Sequence, residues 1–158
     1  VIGTFSKTLA SIGGYVAGSH KVIDFIKHFG RSILFSASLP PASVAAANKA
    51  LEILKREPDR VERVRANGEY MRKNLKAEGF DIGHSETPII PIIVGDEILT
   101  LTLWRELLEE GLYVNSVLYP AVPRDKSLLR TSYTSEHTKE HLDRALEVFV
   151  KLKKKHGW

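Results

Sequence analysis

The chain has no cysteine, a single methionine and no apolar run of bilayer-spanning length. Without cysteine there is neither a disulfide framework nor a thiolate metal site, which suits a reducing compartment and leads to the expectation of a cytoplasmic protein. A membrane span takes about 20 consecutive apolar residues, and no basic-then-apolar signal pattern occurs among these residues. Aromatics make up 8% of the chain and are not interleaved with its basic side chains, so a nucleic-acid surface is not expected. The excess of positive charge is small, +4 at pH 7. Part of it lies in "KLKKKHGW", which reads as the solvated end of a helix whose dipole favours cations, an anion-binding tail being the alternative.

What is present is ordinary for a globular protein, 43% hydrophobic and 27% charged residues. A length of 158 residues supports one core, or one small domain plus part of another. Val1 to Phe5 reads as a strand entering a small-residue loop, and Tyr15 to Gly18 as a second short strand. Helical spacing over Lys21 to Phe29 puts Val22, Ile23, Ile26 and Phe29 on one side. "SILFSASLPPAS" reads as extended, with Pro40-Pro41 starting a helix over Ala42 to Leu54.

After the break at Pro58 a long helix is predicted over Asp59 to Glu78, with Val61, Val64, Met71 and Leu75 inward. "PIIPIIVGD" is a buried strand, and Asp96 caps a helix running to Leu108. "GLYVNSV" and "SLLRTSYT" are strands on either side of the loop "LYPAVPRDK". A last helix from about Thr138 to Lys154 buries Leu142, Ala145, Leu146, Phe149 and Leu152. From residue 59 onward the order of elements predicts an α+β sandwich with helices on one face of the sheet. Residues 1 to about 54 offer two short strands with too little partner surface to form a domain alone, so a fragment of a larger domain is expected.

The opening stretch, "VIGTFSKTLASIGGYVAGS", sets one lysine among hydroxyls, with Gly13-Gly14 close behind. A surface lysine in a polar turn is one reading of Lys7. A phosphate-binding P-loop is a second, but Ser6 stands where its second glycine belongs. The third is a Schiff-base lysine for pyridoxal 5'-phosphate, with Thr4, Ser6 and Thr8 supplying hydroxyls and the glycines room for the ring. "HTKEH" puts His137 and His141 four residues apart on a helix, a zinc-compatible spacing. Thr138 replaces the glutamate of the metalloprotease pattern and no third ligand is evident, so no metal is expected and the histidines read as solvated or capping. His20, His28, His84 and His156 show no partner in the sequence.

"GTFSKTLASIGGYVAGS" resembles the lysine segment of the α-oxoamine synthases, a branch of the fold-type I pyridoxal-phosphate enzymes. "FSASLPPAS", "PIIPIIVGD", "EEGLYVN", "YPAVP" and "LLRTSYTSEHT" follow in that family's order and at similar intervals, so the resemblance covers nearly the whole chain. It implies an α/β fold of fold type I: residues 1–54 as a remnant of the cofactor-binding large domain, and residues 55–158 as the small α+β domain. It also implies that Lys7 binds pyridoxal 5'-phosphate and then acts as acid and base at the substrate α-carbon, and that Thr4 hydrogen-bonds the cofactor. Ser36 and Ser38 match residues that reach the cofactor phosphate of the neighbouring subunit, which implies a homodimer with a shared active site. Arg130 matches the residue that binds the amino-acid carboxylate, a pairing for which the guanidinium fork is suited.

The implied reaction is an acyltransferase condensation of an amino acid (glycine, serine or alanine) with an acyl-CoA, usually with decarboxylation. Serine palmitoyltransferase and glycine C-acetyltransferase are the sub-branches most resembled, with 8-amino-7-oxononanoate synthase third because its usual "PPTVP" is replaced by "YPAVP". In that family the acid facing the pyridine nitrogen and the ring-stacking histidine precede the lysine segment. The chain is therefore expected to be a C-terminal portion, inactive alone. A catalytically silent binding or dimerisation module is the non-enzyme alternative. An ordinary fold-type I aminotransferase would share Lys7 and Arg130 but not the "FSASLPPAS" and "YPAVP" set.

Overall fold

A computed structural model describes residues 1–158 and divides into two compact units, Val1–Pro58 and Asp59–Trp158. In the first, β1 (Ile2–Thr4) and β2 (Gly14–Val16) pair antiparallel, with Ile2 opposite Val16 and Thr4 opposite Gly14. Then follow α1 (His20–Phe29), the single turn α2 (Arg31–Leu34) and α3 (Pro41–Arg56). Pro41 opens α3, where its missing N–H costs nothing. The expectation of an extended "SIL" is wrong. Gly30 turns the chain back into a helix, and the Ile33 and Leu34 amides both donate to its carbonyl. A single turn is too short to leave a periodic signal in the sequence.

This unit has almost no core. Ala47 is its only buried hydrophobic residue. The apolar side of α1 lies open, with Phe25 63% and Phe29 68% exposed, and Val1, Ile2 and Phe35 are each more than four-fifths exposed. Such a surface is a ready aggregation or docking face.

The second unit contains α4 (Asp59–Ala77), β3 (Ile89–Gly95), α5 (Glu97–Glu109), β4 (Asn115–Val117), β5 (Ser127–Ser132) and α6 (Lys139–His156). Its sheet is antiparallel in the order β3-β5-β4, so β5 is central. Strand alternation splits β5 between two faces. Leu129 and Thr131, with Ile90 and Ile92 of β3, are buried, and they join Met71, Leu75, Leu103, Leu107, Val148 and Phe149 of the helices in one core. Arg130 is on the other face, opposite Pro91 on β3 and Asn115 on β4. Of the residues predicted to point inward on α4, Met71 and Leu75 are fully buried and Val61 and Val64 half-buried.

Local chemistry accounts for the boundaries. Asp96 caps α5 by accepting the Leu99 amide at 2.7 Å. The predicted strand "GLYVNSV" shortens to three residues because Gly111 takes φ +84° and the Val114 carbonyl is drawn away by the Trp104 indole at 3.1 Å. The basic end of α6 is more than a solvated face. Lys151 reaches Glu110 at 2.6 Å, Lys155 and His156 both reach Glu106, and Lys153 bonds the carbonyls of Glu78 and Gly79 while lying over the Phe80 ring. Hydrogen bonds from His156 and Lys155 hold the Glu106 carboxyl below its usual range. His156 thus has a partner that its sequence neighbourhood does not reveal.

Candidate active site

Lys7 sits on a nine-residue loop between β1 and β2 whose backbone bonds to itself. The Phe5 amide donates to Gly13 O at 2.9 Å, Ser11 to Phe5 O at 3.0 Å, and Ala10 to Lys7 O at 2.9 Å. These bonds hold the lysine at the turn of a short, closed loop. Its ammonium is exposed and has no hydrogen bond or ion pair within the chain. Thr4 lies at the base of the same loop, with its hydroxyl already engaged. It accepts the Ser6 amide at 3.2 Å and pairs with the Ser6 hydroxyl at 2.9 Å, so it shapes the turn and leaves little capacity for a further bond.

The two glycines have a reason other than room for a ligand. Gly13 adopts φ +103°, a region that side chains disfavour, and a Cβ there would come 2.7 Å from Leu39. A Cβ on Gly14 would lie 2.6 Å from the Gly3 carbonyl oxygen across the hairpin. They serve the backbone's own close approach.

Ser36 and Ser38 follow α2 in an exposed, irregular segment, and neither hydroxyl has a partner in the chain. That segment meets the lysine loop where Leu39 packs at Gly13, and just beyond it, in the first turn of α3, Ser43 O accepts the Ser11 hydroxyl at 2.7 Å. Lys7, Thr4, Ser36 and Ser38 therefore belong to one unit.

Arg130 belongs to the other. It is half-buried in the central strand and has no hydrogen bond, ion pair or aromatic partner in the chain. A guanidinium so placed has given up part of its hydration without a partner in the chain, a loss that a bound anion would offset. Arg130 and Asn115 line a cavity of about 630 Å³ together with Tyr113, Tyr133, His137 and His141. The Tyr133 hydroxyl is buried without a hydrogen-bond partner, and burial, tempered by nearby Thr131, pushes it up to about 12.

Of the two histidines, His141 caps α6 and His137 braces the turn before it. His141 Nδ1 accepts the Thr138 amide while the Thr138 hydroxyl accepts the His141 amide, a reciprocal box at the start of α6. His137 Nδ1 accepts the Thr134 amide at 3.3 Å, which places the proton of the neutral ring on Nε2. Burial, and secondarily the neighbouring His141, hold the His137 imidazole below the usual histidine value. The stability this neutral ring contributes is complete above the unfolded value of about 6.5 and is lost as pH falls below it, because the unfolded chain takes up the proton first. An NMR titration should place the His137 midpoint below 6.5; a midpoint at or above that value contradicts the assignment.

The profile of the aminotransferase class I and II family matches residues 1–149. The 8-amino-7-oxononanoate synthase of Symbiobacterium thermophilum is 47% identical over 156 residues, 99% of this chain and 40% of that protein. The serine palmitoyltransferase of Sphingobacterium spiritivorum is 45% identical over 152 residues, 96% of this chain and 38% of that protein. A solved structure of SPT with the PLP internal aldimine superposes with a TM-score of 0.92 at 33% identity, covering 99% of this chain and 40% of that one. The chain thus spans about 40% of the length of the relatives it matches. Both names are those of α-oxoamine synthases, and with the shared fold-type I architecture they bear out the resemblance: the chain belongs to the aminotransferase class I and II family, in its α-oxoamine synthase branch.

Proposed function

We propose that the chain is the C-terminal part of a pyridoxal-phosphate-dependent acyl-CoA:amino acid C-acyltransferase. The observation that carries this reading is Lys7 itself, an ammonium without a partner held at the turn of a closed, hydroxyl-bearing loop. The loop fits the cofactor: a free amine for its aldehyde, the Ser6 hydroxyl beside it, and the unpartnered Ser36 and Ser38 hydroxyls for a phosphate. Thr4 takes part mainly by fixing Ser6, with its own hydroxyl offering a cofactor contact as that bond exchanges. Ser36 and Ser38 face the cofactor of a second subunit, so the active enzyme is a homodimer with a shared site. The protein is cytoplasmic.

When bound, the cofactor supplies an electron sink for the substrate α-carbon. Arg130 binds the amino-acid carboxylate and fixes which α-substituent faces the reacting centre. The Lys7 amine takes the α-proton. The α-carbon then forms a bond to the acyl carbonyl, the thioester C–S bond breaks, and CoA leaves as a thiolate that takes a proton from solvent. Carbon dioxide departs from the former carboxylate, and Lys7 returns a proton to the α-carbon.

Serine palmitoyltransferase-like, glycine C-acetyltransferase-like and 8-amino-7-oxononanoate synthase-like substrates all fit this scheme. The test is thiol release from a panel of acyl-CoAs (acetyl, pimeloyl, palmitoyl) by the full-length protein loaded with pyridoxal phosphate, with glycine, alanine or serine. The expected result is release that depends on one amino acid. Release independent of any amino acid, or none with every pair, contradicts the proposal.

A further inference from the structure

The sheet register brings one polar side chain beside Arg130 that the reading above does not use. Asn115 is directly opposite Arg130 on edge strand β4, whereas the residue opposite it on β3 is Pro91, which has no donor. Directly paired side chains on one face stand about 4.5–5.5 Å apart at Cβ.

Asn115 is poorly committed to the fold. It is exposed, and its one hydrogen bond, Nδ2 to the Tyr113 hydroxyl, is long at 3.4 Å. Its carboxamide N–H can exchange that weak contact for a better acceptor without leaving a buried group unpaired. An anion drawn to the unpartnered guanidinium and leaning toward β4 meets such a donor; leaning toward β3 it meets only proline. Ser132 shares the face but is two residues along the strand, roughly 6.6 Å away by strand rise.

We propose that Asn115 is a substrate-binding residue that donates a hydrogen bond to the carboxylate held by Arg130, completing a two-residue clamp. This rests on the assignment of Arg130 to the amino-acid carboxylate. The clamp sets the rotation of the carboxylate about its bond to the α-carbon, which a guanidinium fork alone constrains only in its own plane.

The test uses the full-length protein loaded with pyridoxal phosphate and its preferred amino acid and acyl-CoA, with steady-state kinetics on Asn115→Leu, Asn115→Asp and Arg130→Lys. Loss of a hydrogen bond to a charged group corresponds to about ten- to a hundredfold, so Asn115→Leu should raise the KM for the amino acid by that factor. The KM for acyl-CoA should stay within about twofold and kcat should change less than the amino-acid KM. Asn115→Asp is nearly isosteric, and a structural role would tolerate it at this exposed position. In the clamp it sets one carboxylate against another, so its amino-acid KM should exceed that of Asn115→Leu. Asn115→Gln should recover part of the loss. If Arg130→Lys raises the amino-acid KM while both Asn115→Leu and Asn115→Asp stay within twofold of wild type, the clamp is wrong and the Arg130 assignment stands. If Arg130→Lys also leaves that KM unchanged, the assignment on which the clamp rests fails with it.

Discussion

Lys7→Ala in the full-length protein should lower amino-acid-dependent thiol release by about a thousandfold or more, because one amine is asked both to hold the cofactor and to move the α-proton. Functions joined in one group are lost together. Lys21→Ala removes an equally exposed ammonium from α1, where no hydroxyl-bearing loop surrounds it, and should leave the rate within about twofold. Added ethylamine, small enough to enter the space vacated at residue 7, should restore part of the rate to the first variant and none to the second. Equal rates for Lys7→Ala and wild type would remove Lys7 from the chemistry.

The largest effect on stability is expected at Leu129. It is fully buried in the central strand, opposite Ile92 on β3 and in one core with Leu103 and Leu107 of α5 and Val148 and Phe149 of α6. Truncation to alanine removes three buried carbons from a site hemmed by strands on both sides, which limits relaxation, and should cost about 3 kcal/mol. With slopes of about 1–3 kcal/mol per molar urea, the midpoint should fall by about 1–3 M. In the 158-residue chain both tryptophans, Trp104 and Trp158, lie within residues 59–158, so the tryptophan fluorescence of this chain reports that unit. A shift below about 0.3 M would mean that Leu129 is not at the centre of the core.

The second unit was largely legible because its signals are long or local. A 19-residue α4, the Asp96 cap and the seven-residue apolar β3 each announce themselves in consecutive residues. The sequence did not disclose the single turn Arg31–Leu34 or the early end of the "GLYV" strand. One is shorter than a helical period pattern can register, and the other depends on the Trp104 indole taking the Val114 carbonyl from ten residues away. His156–Glu106 was invisible for the same reason, being a contact across 50 positions.

At the candidate site, residue types nominate Lys7 and Arg130, and the fold supplies their settings. Gly13-Gly14 read as space for a ring, and the hairpin itself also requires both glycines, through φ +103° at Gly13 and the Gly3 carbonyl at Gly14. Thr4 is expected from the resemblance to hydrogen-bond the cofactor, and in the chain its hydroxyl is engaged with Ser6. Asn115 was overlooked because only strand register, not sequence order, sets it opposite Arg130. Residues 1–58 keep a bare apolar surface, with one buried hydrophobic residue, because two short strands and their helices offer it little to pack against.

Cofactor attachment at Lys7 is the point on which the functional account turns. The full-length protein should be incubated with pyridoxal phosphate, reduced with borohydride and mapped by peptide mass spectrometry. The account predicts one stoichiometric phosphopyridoxyl label, on the ε-nitrogen of Lys7 in the peptide containing "GTFSKTLASIGG". A label spread over several exposed lysines, or a stoichiometric label at any lysine other than Lys7, would contradict it.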